Sequence, residues 1–281
     1  MMSGQHTRPE AAKARAWGEH AGAGLPPGDG PDPAPQALLQ VRGVSKRFGG
    51  VIANRDLSLD VPAGSITGLI GPNGSGKTTL FNSIAGYHPV DAGSIRFAGR
   101  EISRLRTAKI ARLGVVRTFQ QTHVYRAMDC VQNMQISTAQ AGETLFTMLR
   151  RPTPAITGRA EALLEFVGLH AKRFLPAGQL SFGQQKLLEF AMALMNAPRL
   201  LLLDEPTAGI NPVLINGLVD RLKRANAELG ITLLVIEHNM RVIMNLASRI
   251  YCLAHGELLA QGAPETIRSD RRVIEAYLGD R

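Results

Sequence analysis

The chain has 281 residues, 44% of them hydrophobic and 20% charged, with a formal net charge of +9 and an isoelectric point near 10.1. That length leaves room for one large domain or two modest ones, and the apolar content is enough for a sizeable core. The basic residues are scattered rather than gathered into a block, which points to a solvated basic surface or to contact with lipid or membrane subunits and away from nucleic acid.

Residues 1 to about 36 are rich in Ala, Gly and Pro and close on Pro26-Pro27-Gly28-Asp29-Gly30-Pro31. Such a stretch has too little apolar side chain to offset its ordering entropy, so a disordered tail is expected there. It holds no apolar core of the secretory kind. From residue 37 the pattern turns to short strands, over Ala37–Val41, Val51–Val61 and Ser65–Ile70. A helix-like run, Thr79–Ala85, follows, and then a hairpin tip and strand at Gly93–Gly99.

Ser103 to Ala197 reads as mostly helical, less regular from Ala141 to Gly158. Arg199–Asp204 and Gly230–Glu237 are apolar runs suited to buried parallel strands. The pattern therefore predicts an α/β core with a β-rich opening and a helical region of about 103–197 that interrupts the sheet, within a domain of 37–281. None of the apolar runs approaches the roughly 20 residues of a membrane helix. Cys130 and Cys252 have no CxxC spacing, so neither a zinc site nor a disulfide framework is expected.

The most specific motif is Gly71-Pro72-Asn73-Gly74-Ser75-Gly76-Lys77-Thr78-Thr79, set between a strand and a helix. Its glycines let successive backbone N–H groups curl around phosphates, and the helix that follows adds its positive end. Lys77 is placed to reach the outer phosphates and the Thr78 hydroxyl to take a position on Mg²⁺, so a nucleoside triphosphate is expected here. The run Leu200–Leu203 delivers Asp204 and Glu205 at the strand edge where open α/β sheets bind ligands. Asp204 suits the Mg²⁺ shell and Glu205 suits polarisation of an attacking water. Between these motifs, Leu180-Ser181-Phe182-Gly183-Gln184 opens a helix, with Ser181 as N-cap and Gly183 leaving the backbone open to an anion.

In this order of motifs, from about Ala37 to the C-terminus, the chain resembles the ATP-binding cassette (ABC) ATPases, and Leu180–Gln184 is similar to their signature. The resemblance implies a P-loop NTPase fold with an antiparallel β subdomain and an inserted helical subdomain. It also implies a pair of cassettes meeting head to tail, the signature of each (Ser181, Gly183 and Gln184 here) completing the nucleotide site of the other. It carries Phe48 to the aromatic that stacks on adenine, a core phenylalanine being the alternative. Gln120, with Gln121 as its neighbour and rival, corresponds to the glutamine that contacts Mg²⁺, and His238 to the switch histidine at the γ-phosphate.

Two positions depart from the common pattern, Phe182 where a glycine is usual and Asn211 where an aspartate is usual. Phe48–Val51, Arg117–Gln120, Leu180–Gln185, Ala208–Pro212, Glu237–Met240 and Val273–Gly279 together resemble the ATP-binding subunits of branched-chain amino acid importers. That implies ATP hydrolysis at the cytoplasmic face of the membrane, a heterodimeric pair of cassettes with a homodimer as the alternative, integral membrane subunits docked near 122–134, and an external solute-binding protein. Urea, short amides, lipid export or a non-transport role are the alternatives.

Overall fold

The computed structural model describes residues 37–118, 124–138 and 153–278, so the expectations for the tail 1–36 and for Gln120 and Gln121 lie outside the described residues. Ten strands form two sheets among these residues. The smaller sheet, in the order β2-β1-β4-β5, is built from β1 (Ala37–Phe48), β2 (Val51–Pro62), β4 (Ala92–Phe97) and β5 (Arg100–Glu101), and all its pairings are antiparallel. The larger has the order β10-β9-β3-β8-β7-β6. Its strands are β3 (Ile66–Ile70), β6 (Val115–Arg117), β7 (Leu200–Asp204), β8 (Thr232–Ile236), β9 (Arg249–Ala254) and β10 (Glu257–Gly262). It is parallel except for the β9–β10 hairpin.

Side chains alternate across a strand, and here the alternation divides the core in two. Leu201 and Leu203 of β7 face one apolar cluster with Leu233, Val235, Leu188 and Leu222. Leu200 and Leu202 face the other with Val41, Leu59, Phe81 and Ile95. A strand buried on both faces needs a continuous apolar run, which is why Leu200–Leu203 carries no polar side chain before Asp204.

The helices are α1 (Lys77–Ile84), α2 (Thr107–Arg112), α3 (Cys130–Ile136), α4 (Pro154–Phe166), α5 (Phe182–Leu194), α6 (Pro212–Leu229), α7 (Met240–Leu246), α8 (Pro264–Ser269) and α9 (Arg271–Leu278). Helices α3, α4 and α5 pack together through Met134, Leu163, Leu164 and Leu188. The helical expectation for 103–197 fails at β6, which pairs in parallel with β7. Three residues are too few to show strand periodicity, and only pairing with Leu200–Leu202 makes Val115–Arg117 a strand. The docking stretch expected near 122–134 is not wholly helical either: α3 starts only at Cys130, capped by Asp129, whose side chain accepts from the Gln132 N–H.

Candidate functional site

The phosphate loop joins β3 to α1 and is pressed against its own chain. Gly71, Gly74 and Gly76 have φ of 145°, 80° and 94°. A Cβ at Gly71 would overlap the Leu253 carbonyl oxygen, and one at Gly76 would overlap that of Ala53, whereas Gly74 has open space around it. Glycine is thus required twice for close packing and once for conformation alone.

The loop is further held from outside. Asn54 Nδ2 donates to the Gly76 carbonyl at 3.0 Å, and the Gly71 N–H donates to the Tyr277 hydroxyl at 2.8 Å. Burial pushes the Tyr277 phenol up to about 12, so it stays a neutral hydroxyl. Lys77 Nζ donates to the Gly71 and Pro72 carbonyls at 2.8 and 2.9 Å and to Ser75 Oγ at 3.3 Å. Burial lowers the Lys77 pKa, while Glu205 and Asp204 oppose that shift. Thr78 is exposed at the head of α1, with Thr79 half-buried beside it, and Asn73 is exposed at the loop's crest.

Asp204 and Glu205 leave the end of β7 in different environments. The Asp204 carboxylate is buried and its Oδ2 lies 2.7 Å from Arg117 Nη2. Arg117 also donates to Asn82 of α1. This arginine at the end of β6 was legible only as a neighbour of Gln120, because the strand that places it has no signal of its own. Glu205 has a φ of 51°, its N–H donates to the Ile236 carbonyl at 2.9 Å, and its Oε1 lies 2.6 Å from His238 Nε2. Parallel pairing of β7 with β8 sets Asp204 opposite Ile236 and so brings together acid and imidazole from distant parts of the chain.

Phe48 ends β1 with its ring about half exposed, which sets aside the alternative of a core phenylalanine. It meets His88 edge-to-face at 5.2 Å and carries Lys46 Nζ 5.4 Å from its centroid. Burial first, then Lys46, lowers the His88 pKa, which favours the neutral imidazole beside the ring. Nothing in the sequence pairs His88 with Phe48.

The signature residues present a different picture. Ser181 Oγ accepts from the Gln184 N–H at 3.3 Å, and Gln184 Oε1 accepts from the Ser181 N–H at 3.1 Å, forming a capping box for α5. The side-chain Oε1 of Gln184, a residue expected at the partner's nucleotide, is thus engaged in its own helix cap. Phe182 is exposed with its ring against Gly209, and Gly183 lies beside Leu214. Asn211 caps α6 through a bond from the Val213 N–H to its Oδ1 at 3.0 Å, an acceptor role that an aspartate would also fill.

Two sheets, a loop of this geometry and an acid–imidazole pair at one strand edge define an ATP-binding cassette, and sequence comparison agrees. A family model described as ABC transporter matches residues 54–208, and the chain belongs to that family. A second model, described as branched-chain amino acid ATP-binding cassette transporter, matches residues 257–281.

The high-affinity branched-chain amino acid transport ATP-binding protein BraF of Pseudomonas aeruginosa is 40% identical over 250 residues, covering 86% of this chain and 98% of that protein. The Salmonella typhimurium protein of the same description, LivG, is 40% identical over 254 residues, covering 87% and 99%. Among solved structures, a nucleotide-free ATP-binding cassette from an ABC transporter superposes with a TM-score of 0.79 at 33% identity, covering 87% of this chain and all of that one. The ADP conformation of an ABC transporter cassette gives 0.80 at 33% identity with the same coverage. The chain is a nucleotide-binding ATPase of ABC transporter type, a subunit class that works with membrane permeases. Among the described residues no helix is long and apolar enough to cross a membrane.

Proposed function

We propose that this chain powers an importer of branched-chain amino acids from the cytoplasmic face of the membrane, bound peripherally to integral membrane subunits. The observation that carries the solute class is the 40% identity, over almost their whole length, to branched-chain amino acid transport ATP-binding proteins. Assignment of a solute to an ATPase chain rests on kinship, because no group described above is built to bind an amino acid.

The phosphate loop, Gly71 to Thr79, is the triphosphate site. Lys77 would exchange its bonds to loop carbonyls for the outer phosphates, where charge-assisted bonds are stronger. Phe48 offers the exposed ring that adenine stacks on. Glu205 accepts the proton of the attacking water, and His238, donating from Nε2, holds that carboxylate and faces the γ-phosphate.

Thr78, Asp204 and Gln120 are the residues that would hold Mg²⁺. The donor chemistry fits, since a hydroxyl and one carboxylate are hard oxygen ligands of the kind Mg²⁺ shares with phosphates and water. No cluster of three or more acidic, His or Cys side chains able to hold a metal by itself exists among the described residues. Held there, Mg²⁺ would supply charge neutralisation for the transferring phosphoryl group.

The active unit is a pair of cassettes, this chain with a related one, in which signature positions such as Ser181, Gly183 and Gln184 meet the partner's nucleotide. Closure on ATP and opening after hydrolysis drive the membrane subunits, which receive solute from an external binding protein.

The test is reconstitution with the copurifying membrane subunits. Branched-chain amino acids with their binding protein should stimulate hydrolysis, and Glu205→Gln should keep ATP binding while slowing turnover by about 10²–10⁴-fold. Stimulation by urea or short amides instead would overturn the solute class alone. Normal turnover of the Glu205→Gln protein would remove Glu205 from the chemistry.

A further inference from the structure

Glu237 directly precedes His238, yet its side chain turns the other way. Its carboxylate is buried, at 2% exposure, between the loop after β7 and the loop after β8. Oε1 accepts from the Thr207 N–H at 2.9 Å and from the Thr207 hydroxyl at 2.6 Å, and Oε2 accepts from the Asn239 N–H at 3.3 Å. Those three donors are all uncharged groups. Burying a carboxylate on neutral donors is costly, and an aliphatic side chain would be cheaper to bury at such a site. What the carboxylate provides is a set of charge-assisted bonds stiffer than neutral ones, tying together two loops that the sheet only brings near each other.

Those loops carry the reacting pair. Thr207 lies two residues after Glu205 and Asn239 one residue after His238. Glu205 sits at a φ of 51°, a left-handed conformation that a non-glycine residue keeps only when its surroundings impose it. The Glu205 N–H bond to Ile236 holds one side of that turn, and the Thr207–Glu237 clamp holds the other. The Thr207 carbonyl further accepts from the Ile210 N–H at 3.1 Å, so the clamp also roots the loop that ends at Asn211.

We infer that Glu237 is a positioning residue for hydrolysis: through Thr207 and Asn239 it fixes the contact of Glu205 with His238. It touches neither nucleotide nor water and acts on the rate through that pair. The inference rests on the hydrolytic reading of Glu205 and His238 given above.

The experiment uses the full chain assembled with its membrane subunits and compares steady-state ATPase activity, ATP affinity and thermal unfolding. Glu237→Gln keeps the shape but loses an acceptor, and should lower kcat by about 10- to 100-fold with KM for ATP nearly unchanged, since small misplacements of reacting groups cost that much. Thr207→Val removes only the hydroxyl donor, should lower kcat by a few-fold, and serves if Glu237→Gln does not fold. In a His238→Ala background, Glu237→Gln should cause no further loss, because the Glu205–His238 contact it fixes is already gone. Unchanged kcat in Thr207→Val and in a folded Glu237→Gln, or a full additional loss in the His238→Ala background, overturns the inference. Normal turnover of His238→Ala alone would overturn the hydrolytic reading itself.

Discussion

The phosphate loop and the signature turn are both helix starts proposed to face phosphates, yet they are built in opposite ways. The loop is packed into its own domain: two of its glycines abut backbone carbonyls, Tyr277 and Asn54 hold it from other elements, and Lys77 is buried within it. The signature turn is held by its own capping box, by Gln185 Nε2 donating to the Ala177 and Leu180 carbonyls, and by contacts with Gly209 and the start of α6, and it leaves Ser181, Phe182, Val213 and Leu214 exposed. A loop that holds its ligand with its own backbone needs tertiary support, whereas a surface that meets a second chain needs a stiff local cap and an open face. The asymmetry supports the two-cassette reading of the site.

The contrast can be broken by substitution. Gly71→Ala carries the largest effect, since it combines a φ of 145° with overlap on Leu253. It should cost about 2–4 kcal/mol of stability in thermal or denaturant unfolding. Gly74→Ala, with open space around it, should cost only about 1–2 kcal/mol. Lys77→Ala should weaken ATP binding by about 10- to 100-fold in equilibrium titration, the loss of a bond to a charged group, and unchanged affinity would contradict the assignment of this loop.

A smaller effect is expected at the back of the loop. Tyr277→Phe removes the acceptor of the Gly71 N–H and should cost about 1 kcal/mol, read as a several-fold rise in KM for ATP. Ser181→Ala should have the least consequence for the isolated chain: about 1 kcal/mol from the lost cap, with ATP affinity unchanged. If Ser181→Ala instead weakened binding in the single chain as much as Lys77→Ala, the division between the two regions would collapse.

How far each part could be read from the chain follows from how it is built. Gly71–Thr79, the Leu200–Leu203 run with its two acids, and the Ser181 cap are local patterns, and each states its conformation within a few residues. The Arg117–Asp204 pair, the His88–Phe48 contact, the Tyr277 latch and the Glu237 clamp join residues far apart, and no spacing announces them. Strand β6 was missed for the same reason: three residues become a strand only by pairing with β7.

The sequence by itself determined which chemical groups this protein has at each strand and helix end, because turn glycines, caps and apolar runs act over a few residues. Only the tertiary structure decided what those groups meet. Parallel pairing of β7 and β8 sets Glu205 against His238, and the return of α9 sets Tyr277 against Gly71. Long-range contact is a product of sheet order and packing, and those are properties of the whole folded chain.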